Sequence, residues 1–179
     1  MGPRETRRRE REKRELLRMR KYWEDIEAGE EYVTPSRTIT EADVVMFAAL
    51  TWDCHPLHVD AEYARNSVYG SRVAHGLLGV AYMDGLKARV PLEDELVSMG
   101  TIRWTVDFRA PIRIGDTITV RFKVASKRET SKPDRGIIAL QCQMMNQRGE
   151  VVQEAEHLRM IRRRPLVDSG ASEAVPPAL

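Results

Sequence analysis

Val73-Ala74-His75-Gly76-Leu77-Leu78-Gly79-Val80-Ala81-Tyr82-Met83-Asp84-Gly85-Leu86 places apolar residues on nearly every side of a helical wheel. A helix that is apolar all round is covered all round, so this stretch predicts a buried central helix rather than one lying on a surface. Gly76, Gly79 and Gly85 each cost about 1 kcal/mol of helix propensity against alanine, which points to close approach of something to the backbone. Beyond the helix the apolar period changes to two. Ile102, Trp104, Val106 and Phe108 alternate, then Ile118, Val120, Phe122 and Val124, then Ile138, Leu140, Cys142 and Met144. Pro111 and Gly115-Asp116, Lys132-Pro133-Asp134-Arg135-Gly136 and Asn146-Gln147-Arg148-Gly149 punctuate them, predicting an antiparallel meander that ends at Val151 to Ile161. One central helix against one sheet is an α+β layer architecture, and its open edge calls for a second subunit.

Upstream of the central helix, Thr40-Glu41-Ala42-Asp43 opens a segment with Val44, Phe47, Ala48 and Thr51 on one face. Thr40 is therefore the predicted N-cap of an amphipathic helix, and Pro56 prevents that helix from continuing past Trp52-Asp53. A short helical turn follows near Ala61 to Arg65.

The chain has 179 residues, one domain's worth, with 42% hydrophobic and 31% charged residues. No run approaches a membrane span, and the start lacks the apolar stretch of a secretory signal, so the expected location is cytoplasmic. Cys54 and Cys142 are the two cysteines, too few for a disulfide framework or a four-thiolate zinc site. Residues 1–21 hold ten Lys or Arg against four Asp or Glu, so a net +6 sits in this arm and the remainder carries −4. Its mixed signs at i, i+4 offsets, such as Glu10 with Arg14, read as a basic, solvated helical arm. Without interleaved aromatics it is not a predicted nucleic-acid contact. Residues 164–179, rich in Pro, Gly and small side chains, read as a disordered tail, leaving a domain over 22–163.

The densest group of ionisable residues is Asp53-Cys54-His55-Pro56-Leu57-His58-Val59-Asp60. A carboxylate and an imidazole five residues apart across a proline-bent loop can converge on one water, making Asp53 and His58 a candidate acid/base unit. Cys54 reads as a packed loop thiol. His75 precedes a buried helix with no ligand at i+3 or i+4, and His55 and His58 lack a third ligand, so no metal site is predicted.

Phe47 to Asp60, Tyr63-Ala64, and Val73-Ala74-His75-Gly76-Leu77-Leu78 together resemble the MaoC-like acyl dehydratases, relatives of the R-specific enoyl-CoA hydratases. Trp23-Glu24-Asp25-Ile26 with Gly29, and Phe108 to Asp116, extend the resemblance over roughly residues 22–163. The resemblance implies a hotdog fold, a sheet wrapped round a long helix, working as a homodimer or dimer of dimers with active sites at the interface. It implies that Asp53 and His58 catalyse hydration of a trans-2-enoyl-CoA or the reverse dehydration, with no metal or redox cofactor. His55 stands where the family usually has Asn. The enolate-like thioester oxygen needs donors, and the unpaired N–H of Gly76 in the first turn of the central helix is assigned to it. His55, His75 and Asp84 are the predicted pocket residues, Asp84 lying two helical turns beyond Gly76 on the same side. Arg103, Arg109, Arg113, Lys127 and Arg128 are candidates for the coenzyme A phosphates. A hotdog thioesterase and a non-catalytic acyl-CoA-binding or subunit-pairing module are the rival readings.

Overall fold

The computed structural model describes Glu5 and residues 20–165, so most of the predicted basic arm and tail lie outside the described residues. A single 3-10 turn, Trp23–Asp25, leads into the short strands β1 (Glu31–Val33) and β2 (Arg37–Thr38). Helices α1 (Glu41–Thr51), α2 (Pro56–Val59), α3 (Ala61–Arg65), α4 (Gly76–Lys87) and α5 (Pro91–Glu95) follow, then strands β3 (Ser98–Phe108), β4 (Thr117–Glu129), β5 (Arg135–Met145) and β6 (Val151–Arg162).

Local chemistry explains the helix boundaries. Thr40 caps α1 as predicted: its Oγ1 accepts from the Asp43 N–H while Asp43 returns a bond to the Thr40 N–H, satisfying two orphan amides. The helix stops at Trp52, whose φ of 63° is the left-handed conformation in which a non-glycine residue is strained. Pro56 then starts α2, at the N1 position where its missing N–H costs nothing, so the loop contains a helical turn that the sequence reading left out. The central helix α4 begins at Gly76. Val73 and Ala74 are extended instead, bridging to Arg113 and bonding the Ile112 carbonyl, so the apolar run before Gly76 belongs to sheet-like pairing.

The sheet order is β1-β4-β5-β6-β3, all antiparallel, with β2 also paired to β4. This corrects the simple meander: β3 pairs with β6 instead of β4, and the connection to β4 carries the chain to the opposite side of the sheet. Inward residues of β4, β5 and β6 (Val120, Phe122, Val124, Ile138, Leu140, Met144, Ala155) close on Leu78, Met83 and Leu86 of α4. Each such side chain, fully buried, contributes roughly 1.5–3 kcal/mol by leaving water. Of the three glycines only two meet a neighbour. A Cβ on Gly76 would lie 2.6 Å from the Phe108 ring and one on Gly79 2.3 Å from the Gln153 amide, whereas Gly85 has open space.

One polar cluster sits inside this core. Lys87, 1% exposed at the end of α4, lies 2.7 Å from His157 Nδ1 and 4.6 Å from the Trp104 ring, and His157 stacks on Trp104. Burial, reinforced by the charges of Lys87 and Arg159, pushes the His157 pKa down to about 3. Neutral His157 therefore accepts the Lys87 proton at Nδ1 and leaves Nε2–H for Thr101 Oγ1 at 2.9 Å.

Candidate active site

Two histidines and a carboxylate converge where the loop after α1 meets the start of α4. One donor atom each from Asp53, His58 and His75 lie within 4.8 Å of one another. Two backbone carbonyls set the imidazoles. His58 Nδ1 lies 2.7 Å from the Val73 carbonyl, so it carries the proton and leaves Nε2 with a bare lone pair. His75 Nε2 lies 2.8 Å from the Asp53 carbonyl and donates to it, leaving Nδ1 as a buried lone pair without a partner among the described residues. The two rings stack with centroids 3.7 Å apart. Burial holds His58 below the ordinary histidine range, and the neighbouring His75 adds to this against the raising effects of the Val73 carbonyl and Asp53. His58 is thus a neutral base at neutral pH, with its accepting nitrogen fixed.

Asp53 is exposed in the single chain and held by main-chain contacts: its N–H reaches Thr51 Oγ1 and its Oδ1 accepts from the His55 N–H, each at 3.4 Å. His55 turns away from the acid/base pair. Its Nδ1 accepts the Leu57 N–H as the cap of α2, and its ring sits edge-on to His58 and Tyr63. It shapes the loop and rims the site.

Gly76 follows His75 directly, and the first α4 amides with an acceptor are those of Leu78 and Gly79, both to the His75 carbonyl. The Gly76 N–H has no acceptor among the described residues and lies at the positive end of the helix, as an oxyanion contact requires. Two residues that the sequence reading did not single out for this site secure that turn. Gln153 of β6, buried at 1% exposure, donates from Nε2 to the Gly76 carbonyl at 2.7 Å, and the Phe108 ring packs on the Gly76 backbone. Phe108 and Gln153 are register partners across β3 and β6, so the sheet presents both to the helix start. Only the pairing register, which periodicity does not specify, would have found them.

Other assignments change. The convergence of His75 with Asp53 and His58 supplies the third ligand that linear spacing hid, but stacked rings bind one ion poorly. Ring planes 27° apart with centroids 3.7 Å apart meet only about 7 Å away, far beyond the roughly 2.1 Å of a metal–imidazole bond. Cys54, predicted to be packed, is exposed. Asp84 carries an exposed carboxylate 3.4 Å from Lys87, at the far end of α4 from Gly76, so the charge predicted for the pocket is paired. Arg103 and Arg109 are held by Glu156 and by Asp107 and Glu154, and Lys127 bonds the Trp23 and Ile26 carbonyls, which leaves Arg113 and Arg128 of the five cationic candidates, Arg113 bonding the Tyr69 carbonyl.

Against known proteins, residues 25–142 match the model of the MaoC like domain. An (R)-specific enoyl-CoA hydratase of Rhodospirillum rubrum is 36% identical over 104 residues, covering 58% of this chain and 69% of that protein. A 3-hydroxybutyryl-CoA dehydratase of Methylorubrum extorquens is 40% identical over 106 residues, covering 58% of this chain and 64% of that protein. Among solved structures, a MaoC-like dehydratase from Rhodospirillum rubrum superposes with a TM-score of 0.71 at 30% identity, over 82% of this chain and 99% of that one. The chain belongs to the MaoC-like dehydratase family and has its hotdog fold. Membership makes it a hydro-lyase by class. No helix among the described residues is long and apolar enough to cross a membrane.

Proposed function

We propose that this chain reversibly hydrates a trans-2-enoyl-CoA to the (R)-3-hydroxyacyl-CoA, with Asp53 and His58 holding the water and the Gly76 N–H holding the thioester oxygen. The observation that carries the reading is the fixed tautomer of His58: Nδ1–H is committed to Val73, so Nε2 can only accept. In hydration, water held between the Asp53 carboxylate and His58 Nε2 attacks C3, and its proton passes to Nε2. The C2=C3 electron pair moves toward the thioester oxygen, whose growing charge the Gly76 N–H and the α4 dipole stabilise. C2 then takes that proton back from His58 Nε2–H as the enolate collapses, so one water has added across C2=C3 and the neutral imidazole is restored. Dehydration is the reverse. The chain's own residues carry each of these steps, without metal or redox chemistry.

The working unit is a homodimer or a dimer of dimers. Among the described residues, strand β3 is an edge of the sheet with its outer side unpaired by other strands. Met46, Leu50 and Trp52 beside Asp53 are 70%, 81% and 88% exposed, apolar surface that a second copy would cover while closing the acyl pocket. Incubation with crotonyl-CoA, followed by enoyl absorbance, chiral chromatography of the product and a thiol reagent in a parallel tube, tests the assignment. A single 3-hydroxybutyryl-CoA enantiomer, of R configuration, is the expected result. Thiol release without hydration transfers the reading to a thioesterase, and silence across chain lengths transfers it to a binding module.

A further inference from the structure

Asp53 stands just outside α1 with little of its own to hold it. Trp52 before it is left-handed at φ 63°, and the two local contacts of Asp53, its N–H to Thr51 Oγ1 and its Oδ1 from the His55 N–H, are long at 3.4 Å each. A strained turn persists only where its surroundings over-determine it. The shorter bond comes from 22 residues away: His75 Nε2–H donates to the Asp53 carbonyl at 2.8 Å.

His75 is 2% exposed, and its ring packs against Phe47, with centroids 5.1 Å apart, as well as stacking on His58. The backbone leading to it is anchored. The Ala74 N–H donates to the Ile112 carbonyl at 2.8 Å, the Val73 N–H donates to the Leu57 carbonyl at 3.2 Å, and Val73 bridges to Arg113. Val73 in turn offers the carbonyl that fixes the His58 tautomer. One extended segment, 73–75, therefore addresses both members of the acid/base pair, His58 through a carbonyl and Asp53 through an imidazole. An apolar ring of the same size would fill this space without leaving Nδ1 as a buried acceptor that lacks a partner among the described residues, so filling space does not account for a histidine here.

We propose, on the hydratase reading above, that His75 is a positioning residue for Asp53: by holding the Asp53 peptide plane it aims the Cα–Cβ bond, and so the carboxylate, at the water that His58 Nε2 deprotonates. A misplacement of about 1 Å can lower a rate about 100-fold, so one carbonyl tether at a strained turn has a measurable effect. In this role His75 touches no reacting atom.

Phenylalanine and glutamine divide the ring from its N–H. His75→Phe keeps a ring against His58 and loses the donor, whereas His75→Gln loses the ring and carries an amide N–H to about the reach of imidazole Nε2. Hydration of crotonyl-CoA is measured for both, with His75→Phe also made in the Asp53→Asn background and urea midpoints checking the fold. His75→Phe should lower kcat about tenfold or more with KM within about threefold, and His75→Gln should lower kcat only about threefold. The phenylalanine loss should disappear in Asp53→Asn, where no carboxylate is left to position. Equal losses in the two variants, a loss undiminished in Asp53→Asn, or a loss confined to His75→Gln, which assigns the ring to stacking on His58, overturns the role.

Nuclear magnetic resonance reads the tether without turnover. Among the four histidines, His75 should show the Nε2–H tautomer by ring 15N shifts, and the Asp53 carbonyl 13C resonance should move upfield in His75→Phe but not in His75→Gln. A carbonyl resonance unmoved in His75→Phe overturns the tether. Should that variant fail to fold, an Nδ1–H tautomer for His75 in the parent, or a loss of about tenfold or more in His75→Gln, overturns it instead. If the parent hydrates no thioester but the resonance moves as expected, the tether stands and the hydratase reading fails.

Discussion

Replacing Gln153 by Met separates the holding of the helix start from the stability of the fold. The Gln153 amide makes one strong contact, Nε2 to the Gly76 carbonyl at 2.7 Å, while its Oε1 is buried with no partner among the described residues. Methionine keeps the length and nearly the volume but has no amide. Losing the bond forfeits about 1 kcal/mol net, while removing an unsatisfied buried acceptor returns about 1–3 kcal/mol. Unfolding stability in urea should therefore be unchanged or up to about 2 kcal/mol higher. The Gly76 peptide, no longer fixed from the sheet, should hold the thioester oxygen less well, so kcat for crotonyl-CoA should fall about tenfold or more, the order seen when an oxyanion contact is weakened. Since Gln153 acts through Gly76 and touches no reacting atom, KM should change less than threefold, about 0.7 kcal/mol. A variant that loses more than 2 kcal/mol of stability, or hydrates at the parental rate, refutes the positioning role.

Asp53→Asn and His58→Ala should each lower kcat about 100-fold or more with the circular dichroism spectrum intact, since either change removes a partner of the attacking water. His157 links stability to pH. Its pKa falls from an ordinary 6.5 to about 3 on folding, so the unfolded chain takes the proton first; its contribution is complete above about pH 6.5 and is lost as pH falls toward 3. The loss from this group should reach about 2 kcal/mol by pH 5, and urea melts of His157→Gln should show a flatter slope across that window. Gly136→Ala should destabilise by about 1–3 kcal/mol, because the new Cβ would fall 2.4 Å from a Trp23 indole pinned by its bond to the Ile137 carbonyl and by Lys127 and Arg163. Chemical denaturation checks it, with kcat of the folded fraction expected to remain parental.

Periodicity located the central helix, the four long strands and the Thr40 cap, because each is written in contiguous residues. What it missed depends on distant partners. Alternation says that Phe108 and the strand ending at Ile161 have a buried face, but not that β3 leaves β4 for β6, and it is that register which brings Phe108 and Gln153 to Gly76. The proximity of Asp53 and His58, for which an acid/base role is proposed, was legible because both share one loop. His75 was not legible as their third neighbour, since its contact with the Asp53 carbonyl spans 22 residues. Lys87 was not singled out in the sequence, and only the packing of Trp104 and His157 around it explains why it is buried. Gly85 shows the converse: composition suggested a tight approach that the fold does not make.

The placement of the three tryptophans turns this protein into its own optical reporter. Trp23 lies close to the cationic groups of Lys127 and Arg163, and Trp104 lies against the His157 ring with the Lys87 ammonium close by, so both indoles have neighbours that perturb their excited states. Trp52, next to Asp53 in sequence and 88% exposed, has water around it instead. Red-edge emission should therefore report on the rim of the Asp53–His58 loop, and a shift to shorter wavelength would mark its desolvation, as the proposed second subunit or an acyl chain would cause. Emission from Trp104 should respond to acid as His157 takes its proton, giving one label-free spectrum with separate windows on assembly and on core protonation.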